Sequence, residues 1–383
     1  MSNPRIAILA DVPLGTLDGI DGFARPRSHY ATWLEALIPE FQNVDDLDLH
    51  WITFSKEVSK TTTCRALGQD FTILPRYKKL LSMVTAYQWE TRNIGKLLKR
   101  IKPDLIHAWG CEDAYGLAGA RARHPVKLFT LQGCLTECLK NEPNPKALMK
   151  LQASFERKTI RAFANGTGES EVSTEHLKRL HPEMKTEVID YGVARDFFEA
   201  TWNPSESPTV LFAGTVCHPK GILELIQVIG KPGFSGVTLE IAGDGPLLEG
   251  LKKQGLSNVR CLGRLSRPDL VGAMQRAWVL AMPTHADTGP SIIKEARVLG
   301  LPVVTTNAAG AAHYISHSKA GRVIPVGNVE RLAEALKEIT VSRECCMEIG
   351  RKGWDDHREV FRPASAVHKF ADLYRNLIRQ GAA

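Results

Sequence analysis

The 383-residue chain is 43% hydrophobic and 24% charged, which is typical of a folded globular protein and leaves room for two domains. No apolar run approaches the roughly 18 residues of a membrane-spanning helix, and residues 1–11 enter an apolar strand without the length of a signal peptide, so we expect a cytoplasmic protein. The net charge is +7, but the sequence has no basic tract interleaved with aromatic residues, so we do not expect a nucleic-acid partner. The eight cysteines do not have the paired spacing of a metal site.

The first half of the chain alternates short apolar segments with segments of helical periodicity. Strands are predicted at residues 5–10, 50–54, 104–110, 126–131 and 185–189, and helices at 28–37, 76–100 and 147–164. This alternation predicts an α/β fold with a doubly wound parallel sheet. A long loop with Gly15, Gly19 and Gly22 follows the first strand, where open α/β sheets bind ligands. Its glycines do not form a tight GxGxxG turn, which argues against a nicotinamide dehydrogenase.

The segment 76–100 is the most basic part of the chain. Three interpretations remain open: a solvated face, a docking surface for anionic lipid, or a site for a phosphate-bearing acceptor. A solvated face is the default interpretation of such a charge run.

The α/β pattern restarts after a linker-like stretch at residues 202–208. Strands are predicted at 209–214, 237–242, 259–263, 278–282 and 301–305, with helices between them. An amphipathic helix is predicted near the end, with apolar residues spaced over 364–378. We therefore predict two Rossmann-like domains facing across a cleft, one of residues 1–200 with the final helix 364–383 and one of residues 201–363.

The stretch 281–310 has the sequence of a strand end, a loop and a helix start. Gly289, Pro290 and Ser291 favour the beginning of a helix, whose free N–H groups attract phosphate. Two acids frame this turn, and their carboxylates suit sugar and ribose hydroxyls: Asp287 before it and Glu295 after it. The alternative is that Asp287 caps the loop and Glu295 is a surface acid favoured by the helix dipole.

The second half resembles the donor-binding half of retaining GT-B glycosyltransferases of family 4. Four motifs occur in the order of that family: Gly214-Thr215 followed by Lys220-Gly221; Gly243-Asp244-Gly245-Pro246; Leu262-Gly263; and Asp287 to Glu295 followed by Ala296, Gly300 and Leu301-Pro-Val-Val304. The first half is similar less specifically, through Asp104-Leu-Ile-His107 and through Gln132-Gly133, where the family usually has His-Gly. The resemblance implies the GT-B fold, with a final helix that crosses back to the first domain.

The resemblance also implies residue roles. Lys220 would contact the donor diphosphate, Asp287 the hydroxyls of the donor sugar, and Glu295 the ribose. Backbone groups near Gly289, Pro290 and Ser291 would serve the phosphate and sugar oxygens. The remaining implied contacts are donor-binding loops at Gly214, Thr215 and Gly245, base-flanking residues Gly263, Arg264 and Leu265, and first-domain cleft residues Gly19, His107 and Gln132. His107 is alternatively a packing residue of the strand end.

Three positions depart from the family pattern. Asp287 stands where the family usually has glutamate, and Thr215 stands where it has arginine. Loss of a charge-assisted contact costs roughly 1.5–3 kcal/mol, so we expect another cation, such as Arg264 or one from the first domain, to replace that arginine. Gln132 replaces a histidine and cannot shuttle protons, which leaves it hydrogen bonding to the sugar.

The resemblance predicts sugar transfer from a nucleoside diphosphate sugar with retention, without a metal or organic cofactor, to a glycan or lipid-linked acceptor in cell-surface polysaccharide biosynthesis. It places the protein in the cytoplasm, with the inner face of the membrane as a peripheral location. The alternatives are an epimerase or an inverting transferase of the same fold, and a non-catalytic sugar- or nucleotide-binding protein.

Overall fold

A computed structural model describes residues 3–24, 32–140, 142, 144–287, 289–308, 310, 312–316, 319–354 and 358–381. The chain divides into two compact units, Met1–Gly192 with Pro363–Ala383 and Val193–Arg362. The boundary lies at residues 192 and 193, whereas the sequence placed it at 200 and 201. Val193 and Phe197 precede the linker-like stretch, yet both are buried in the core of the second unit.

The first unit contains an eight-stranded sheet in the order β3-β4-β2-β1-β5-β6-β7-β8. Its strands are β1 (Arg5–Leu9), β2 (Asp48–Ser55), β3 (Thr62–Ala66), β4 (Gln69–Pro75), β5 (Leu105–Trp109), β6 (Lys127–Thr130), β7 (Asn165–Gly168) and β8 (Lys185–Val188). All neighbours pair in parallel except β3, which is antiparallel to β4. Side chains of β1 enter two separate cores, Ile6 and Ile8 in one and Ala7 and Leu9 in the other. Burial on both faces explains why this strand is continuously apolar.

The second unit contains a six-stranded parallel sheet in the order β11-β10-β9-β12-β13-β14. Its strands are β9 (Thr209–Ala213), β10 (Thr238–Ala242), β11 (Val259–Gly263), β12 (Val279–Met282), β13 (Val303–Thr306) and β14 (Gly321–Ile324). The first strand, β9, lies in the middle of the sheet, between β10 and β12. Loops that follow these strands therefore share one edge of the sheet, where open α/β sheets bind ligands.

Helices connect most of the strands in both units. They are α1 (Thr32–Glu40), α2 (Lys79–Val84), α3 (Gln88–Ile101), α4 (Ala114–Arg121), α5 (Leu135–Lys140), α6 (Ala147–Ile160), α7 (Glu171–Leu180), α8 (Arg195–Glu199), α9 (Ile222–Ile229), α10 (Leu248–Gln254), α11 (Arg267–Arg276), α12 (Ser291–Leu299), α13 (His313–Ser316), α14 (Val329–Thr340), α15 (Arg343–Trp354) and α16 (Pro363–Gly381). The start of the first predicted helix, at residues 28–31, lies outside the described residues. Within the described chain, every helix is too short or too polar to cross a lipid bilayer.

The helix predicted over residues 76–100 is interrupted. It forms the short α2 and the longer α3, and Ala86 and Tyr87 between them have left-handed backbone angles, with φ of 49° and 53°. The Tyr87 side chain is buried, and its ring lies 6.0 Å from that of Phe155. Burial of this aromatic ring accompanies a break that the helical periodicity did not predict.

Candidate active site

The loops that follow β9 and β10 lie against each other. The Val216 amide donates a hydrogen bond to the Asp244 carbonyl over 3.0 Å. A Cβ atom on Gly243, where φ is 144°, would overlap the Gly214 carbonyl oxygen, and one on Gly245 would overlap that of Val216. The glycines of this motif therefore allow a backbone approach that no other residue permits.

The loop after β12 is tied to the loop after β9 in the same way. Thr284 Oγ1 and the His285 amide both donate to the Pro219 carbonyl, over 3.0 and 2.8 Å. A Cβ on Gly221, where φ is 72°, would overlap the Pro283 carbonyl oxygen. These contacts fix the backbone on either side of Lys220 and shortly before Asp287.

Lys220 and Asp287, separated by 67 positions in the chain, are in direct contact. Lys220 Nζ donates to Asp287 Oδ2, and the two side chains are 25% and 13% exposed. The Gly289 amide also donates to Asp287 Oδ1 over 3.4 Å. The structure therefore brings together the lysine and the first acid of the motifs, and each charge is balanced by the other.

Helix α12 begins directly beyond this pair. Its N-cap residue is Pro290, which has no side-chain capping bond, and Ser291 is the first helical residue. Gly289 and Pro290 are buried, whereas Ser291 is partly exposed. The first-turn amides of an α-helix carry partial positive charge and bind anions. Glu295 follows one turn later and is buried, at 7% exposure.

The loop after β11 carries the residues expected to flank the base. Gly263 has a φ of 69°, Leu265 is partly buried, and Arg264 Nε lies 3.5 Å from Asp244 Oδ2. Thr215 is exposed on the loop after β9. The idea that Arg264 replaces the missing arginine stays a prediction. In the structure the Arg264 side chain is 62% exposed and pairs with the carboxylate of Asp244.

A histidine pair near Lys220 was not predicted from the sequence. His285 is bound to Glu224 on α9, with 2.6 Å between Nε2 and Oε1, and its ring centroid lies 5.3 Å from that of His218. The only feature of the sequence that could have indicated this pair is spacing, because His218 and His285 each lie two residues before a predicted site residue. The pair places two imidazoles on the loops that hold Lys220 and Asp287.

The carboxyl edge of the sheet in the first unit carries a charged network that the sequence analysis also missed. Arg76, directly after β4, binds Asp11 after β1 over 2.7 Å and Asp113 after β5 over 3.0 Å. The Tyr115 hydroxyl accepts a further hydrogen bond from Arg76 over 3.1 Å. Each of the three charged residues follows a strand of the sheet, but β4, which precedes Arg76, was not predicted from the sequence.

The predicted residues of the first unit have different surroundings. His107 has no exposed surface, and its ring nitrogens lie 2.7 Å from the Tyr374 hydroxyl and 2.6 Å from Thr130 Oγ1. Burial holds the pKa of this imidazole well below its ordinary value. Its assignment to a ligand cleft is therefore wrong, because helix α16 covers it. Gly19 is exposed in the loop after β1, and Gln132 is partly buried after β6.

Residues 194–355 match the family model of the glycosyl transferases group 1. This match covers Lys220, Asp287 and the start of α12. The chain carries a glycosyl transferases group 1 domain. All predicted donor-binding residues lie within this group 1 domain, whereas Gly19, His107 and Gln132 lie outside it.

Two curated proteins to which the chain is similar are glycosyltransferases by name. The chain is 25% identical over 248 residues to a GDP-mannose-dependent alpha-(1-6)-phosphatidylinositol monomannoside mannosyltransferase of Mycobacterium tuberculosis, an alignment that covers 57% of this chain and 64% of that protein. It thus spans less than two thirds of that relative. The chain is also 22% identical over 373 residues to the capsular polysaccharide biosynthesis glycosyltransferase CapM of Staphylococcus aureus. That alignment covers 89% of this chain and 93% of CapM.

Solved structures establish the GT-B fold. Sucrose-phosphate synthase from Thermosynechococcus elongatus superposes with a TM-score of 0.79 at 15% identity, covering 99% of this chain and all of that one. WaaG, a glycosyltransferase involved in lipopolysaccharide biosynthesis, superposes with a TM-score of 0.70 at 17% identity, covering 96% and 99%. At these identities the likeness concerns the fold alone, and it confirms two α/β units with parallel sheets.

Proposed function

We propose that this protein is a glycosyltransferase that moves a sugar from a nucleoside diphosphate sugar to a glycan or lipid-linked acceptor with retention of configuration, in polysaccharide biosynthesis. The observation that carries the proposal is the meeting of Lys220, Asp287 and the start of α12 at one sheet edge. A cation and free amides suit a diphosphate, and a carboxylate beside them suits sugar hydroxyls. The names of the mannosyltransferase and of CapM support the same class.

The chemistry follows from the charges that change during transfer. The bond from the anomeric carbon to the diphosphate oxygen breaks, and negative charge moves to the leaving phosphate. Lys220 and the first-turn amides of α12 stabilise that charge, so the proposal needs neither a metal nor an organic cofactor. The acceptor oxygen bonds to the same face of the anomeric carbon, and the departing phosphate takes its proton.

We also propose that α2 and its neighbours contact an anionic membrane surface. Five of the large hydrophobic side chains that are exposed lie within residues 77–89: Tyr77, Leu80, Leu81, Val84 and Trp89. We call these five residues the α2 patch. Exposed lysines and arginines flank it at Lys78, Lys79, Arg92 and Lys96. Apolar insertion together with basic flanks is the combination that binds anionic bilayers, and it would bring the protein to a lipid-linked acceptor.

A panel of UDP-, GDP- and ADP-sugars tests the activity. Thermal shift and calorimetry on the full chain should identify one donor class that binds, and proton NMR of the transfer product should show the anomeric configuration of the donor. A product whose anomeric configuration is inverted relative to the donor would identify an inverting transferase. Interconversion of free nucleotide sugars would identify an epimerase. Tight sugar-nucleotide binding without turnover would indicate a non-catalytic protein. Binding of NAD alone would contradict the proposed class.

A further inference from the structure

The loop after β12 has a side-chain anchor on α9 that the sequence motifs do not include. His285 Nε2 lies 2.6 Å from Glu224 Oε1, and the two side chains are 15% and 17% exposed. Because an ionised carboxylate can only accept, the imidazole donates this hydrogen bond from Nε2. Glu224 lies in the first turn of α9, where the helix dipole favours a negative charge. The contact therefore joins a residue held on a helix to a loop residue two positions before Asp287.

The loop around Asp287 has two further contacts that make the position of His285 important. The Gly310 amide donates to the Asp287 carbonyl over 2.9 Å, which ties this backbone to the loop after β13. The His218 ring, on the turn that carries Lys220, packs edge-on against the His285 ring with 78° between the ring planes. His285 thus contacts both α9 and the Lys220 turn, so its position affects the geometry of the Lys220–Asp287 pair.

The stability of the fold gives little reason for the Glu224 carboxylate to be at this position. Its second oxygen, Oε2, is buried and has no hydrogen-bond partner within the described chain. A buried polar atom without a partner costs free energy, and a largely buried charge pair often fails to repay its desolvation. A contact that adds little to stability and lies beside the candidate active site is better explained by a role in that site.

We propose that Glu224 and His285 are positioning residues for Asp287 in the sugar transfer. Glu224 holds the His285 side chain, and His285 holds the segment that leads to Asp287, so that the Asp287 carboxylate meets the donor sugar. The inference rests on the proposed function, which makes Asp287 the group that binds the sugar hydroxyls. Asp287 is one methylene shorter than the glutamate of the resemblance, so its reach depends more closely on where the backbone lies.

The test compares two ligands in the full chain: the nucleotide sugar that the panel identifies and the matching nucleoside diphosphate. Calorimetry measures both Kd values. Glu224→Ala and His285→Ala each remove the anchor from one end, whereas Glu224→Gln keeps an oxygen that can accept from Nε2. Glu249→Ala is the matched control, because Glu249 also lies in the first turn of a helix, α10, but is exposed.

A positioning role predicts different effects on the two ligands. Glu224→Ala and His285→Ala should raise the Kd of the nucleotide sugar at least about fivefold, because a charge-assisted contact to the sugar is misplaced. The Kd of the nucleoside diphosphate should be no higher than in the wild type. Glu224→Gln should keep both Kd values within about twofold. In an Asp287→Asn background, Glu224→Ala should also change neither Kd by more than about twofold, because the carboxylate through which it acts is already gone.

Other results contradict the inference and leave the proposed function intact. A nucleotide-sugar Kd within about twofold of the wild type in both alanine variants would show that the anchor does not position Asp287. A parallel rise of both Kd values, or an equal effect in the Asp287→Asn background, would show that the variants only disturb the loops. If one alanine variant melts early, the other variant and Glu224→Gln carry the test. If no nucleotide sugar binds the wild type, the proposed function itself fails.

Discussion

Lys220 and Asp287 lie in contact on two loops whose backbones are held by hydrogen bonds and close glycine packing. Because both side chains are largely buried, their mutual attraction is screened less than that of a surface pair. A diphosphate that binds Lys220 must compete with Asp287 for it. Asp287 is then released to accept hydrogen bonds from the sugar.

This competition predicts opposite effects of two substitutions on nucleoside diphosphate binding. Lys220→Met should weaken binding of the diphosphate and lower transfer by about 10²–10³, as when a preorganised donor is lost. Asp287→Asn should strengthen binding of the diphosphate while transfer falls, because it frees Lys220 but removes the carboxylate from the sugar. Calorimetry and initial rates measure both quantities. Lys253→Met, at an exposed lysine of the same unit, is the control, and weaker diphosphate binding by Asp287→Asn would contradict the competition.

Glu112 predicts a pH-dependent stability difference. Its folded-state pKa of about 7 lies above its ordinary value of 4.5, so it contributes stability below pH 4.5 that is lost as the pH rises through 7. Each pKa unit corresponds to about 1.4 kcal/mol. We therefore expect the melting temperature of Glu112→Gln minus that of the wild type to be several degrees larger at pH 8 than at pH 5. Calorimetric scans at the two pH values measure this difference. An equal difference at the two pH values would show that the carboxyl is not perturbed.

At the residue scale, motif spacing indicates position, whereas the donor-binding roles assigned from it stay predictions. Lys220 and Asp287 were predicted from such spacing, and the structure places them in contact. His107 also matched a motif, but the residues that bury it come from α16, more than 250 positions later. Glu112 belongs to no recognised motif, and the surroundings of its carboxylate depend on Gly110 and Gly133 lying beside it in space.

At the scale of elements, the close packing at the start of α9 predicts that replacing Gly221 lowers the stability of the second unit. Gly221→Ala adds a Cβ that overlaps the Pro283 carbonyl oxygen, in addition to the strain of a positive φ. Gly255, with a φ of 60° and no atom within 4 Å of a built Cβ, is the matched control because it carries the strain alone. We expect Gly221→Ala to lose about 1–3 kcal/mol more than Gly255→Ala, the usual cost of overpacking. Equal melting temperatures for the two variants would contradict the close approach.

The α2 patch predicts a second effect at this scale. Leu80, Leu81 and Val84 are 62%, 61% and 69% exposed, so replacing all three with serine should leave the fold intact. Sedimentation with phosphatidylglycerol-containing vesicles should show at least about a tenfold loss of partitioning, because each 1.4 kcal/mol of apolar contact is worth a factor of ten. Leu223→Ser, at an exposed leucine of the second unit, is the control. Unchanged partitioning would exclude the membrane contact, and a change in oligomeric state would assign the patch to a second copy.

The elements were predicted well where apolar strands are buried on both faces, as in β1 and β9. Strands β3, β4, β7 and β14 were not predicted. For β3 the reason is that three of its five residues are exposed, so the segment has the composition of a loop. The break before α3 depends on the burial of Tyr87 among residues distant in the sequence. Local periodicity carries no information about such contacts.

For the whole molecule, the path of the chain predicts unequal effects of truncation. Helix α16 follows the second unit but packs in the core of the first, where it buries Phe370, Tyr374 and Leu377. Loss of even one large buried side chain costs about 3–5 kcal/mol, and a whole domain has about 5–15 kcal/mol of stability. A chain ending at Arg362 should therefore lose the calorimetric transition of the first unit and keep that of the second. Two preserved transitions would contradict this dependence.

If the proposed function is right, the Lys220–Asp287 contact also influences which small molecules bind at this site. Inorganic phosphate can bind Lys220 only by leaving the Asp287 carboxylate without its ion-pair partner. A free monosaccharide can bind Asp287 only by leaving the Lys220 ammonium group without its partner. A compound that presents phosphate and hydroxyls together compensates both charges in one event. On the proposed function, we therefore expect the ion pair to favour ligands that carry both groups over inorganic phosphate or a free monosaccharide.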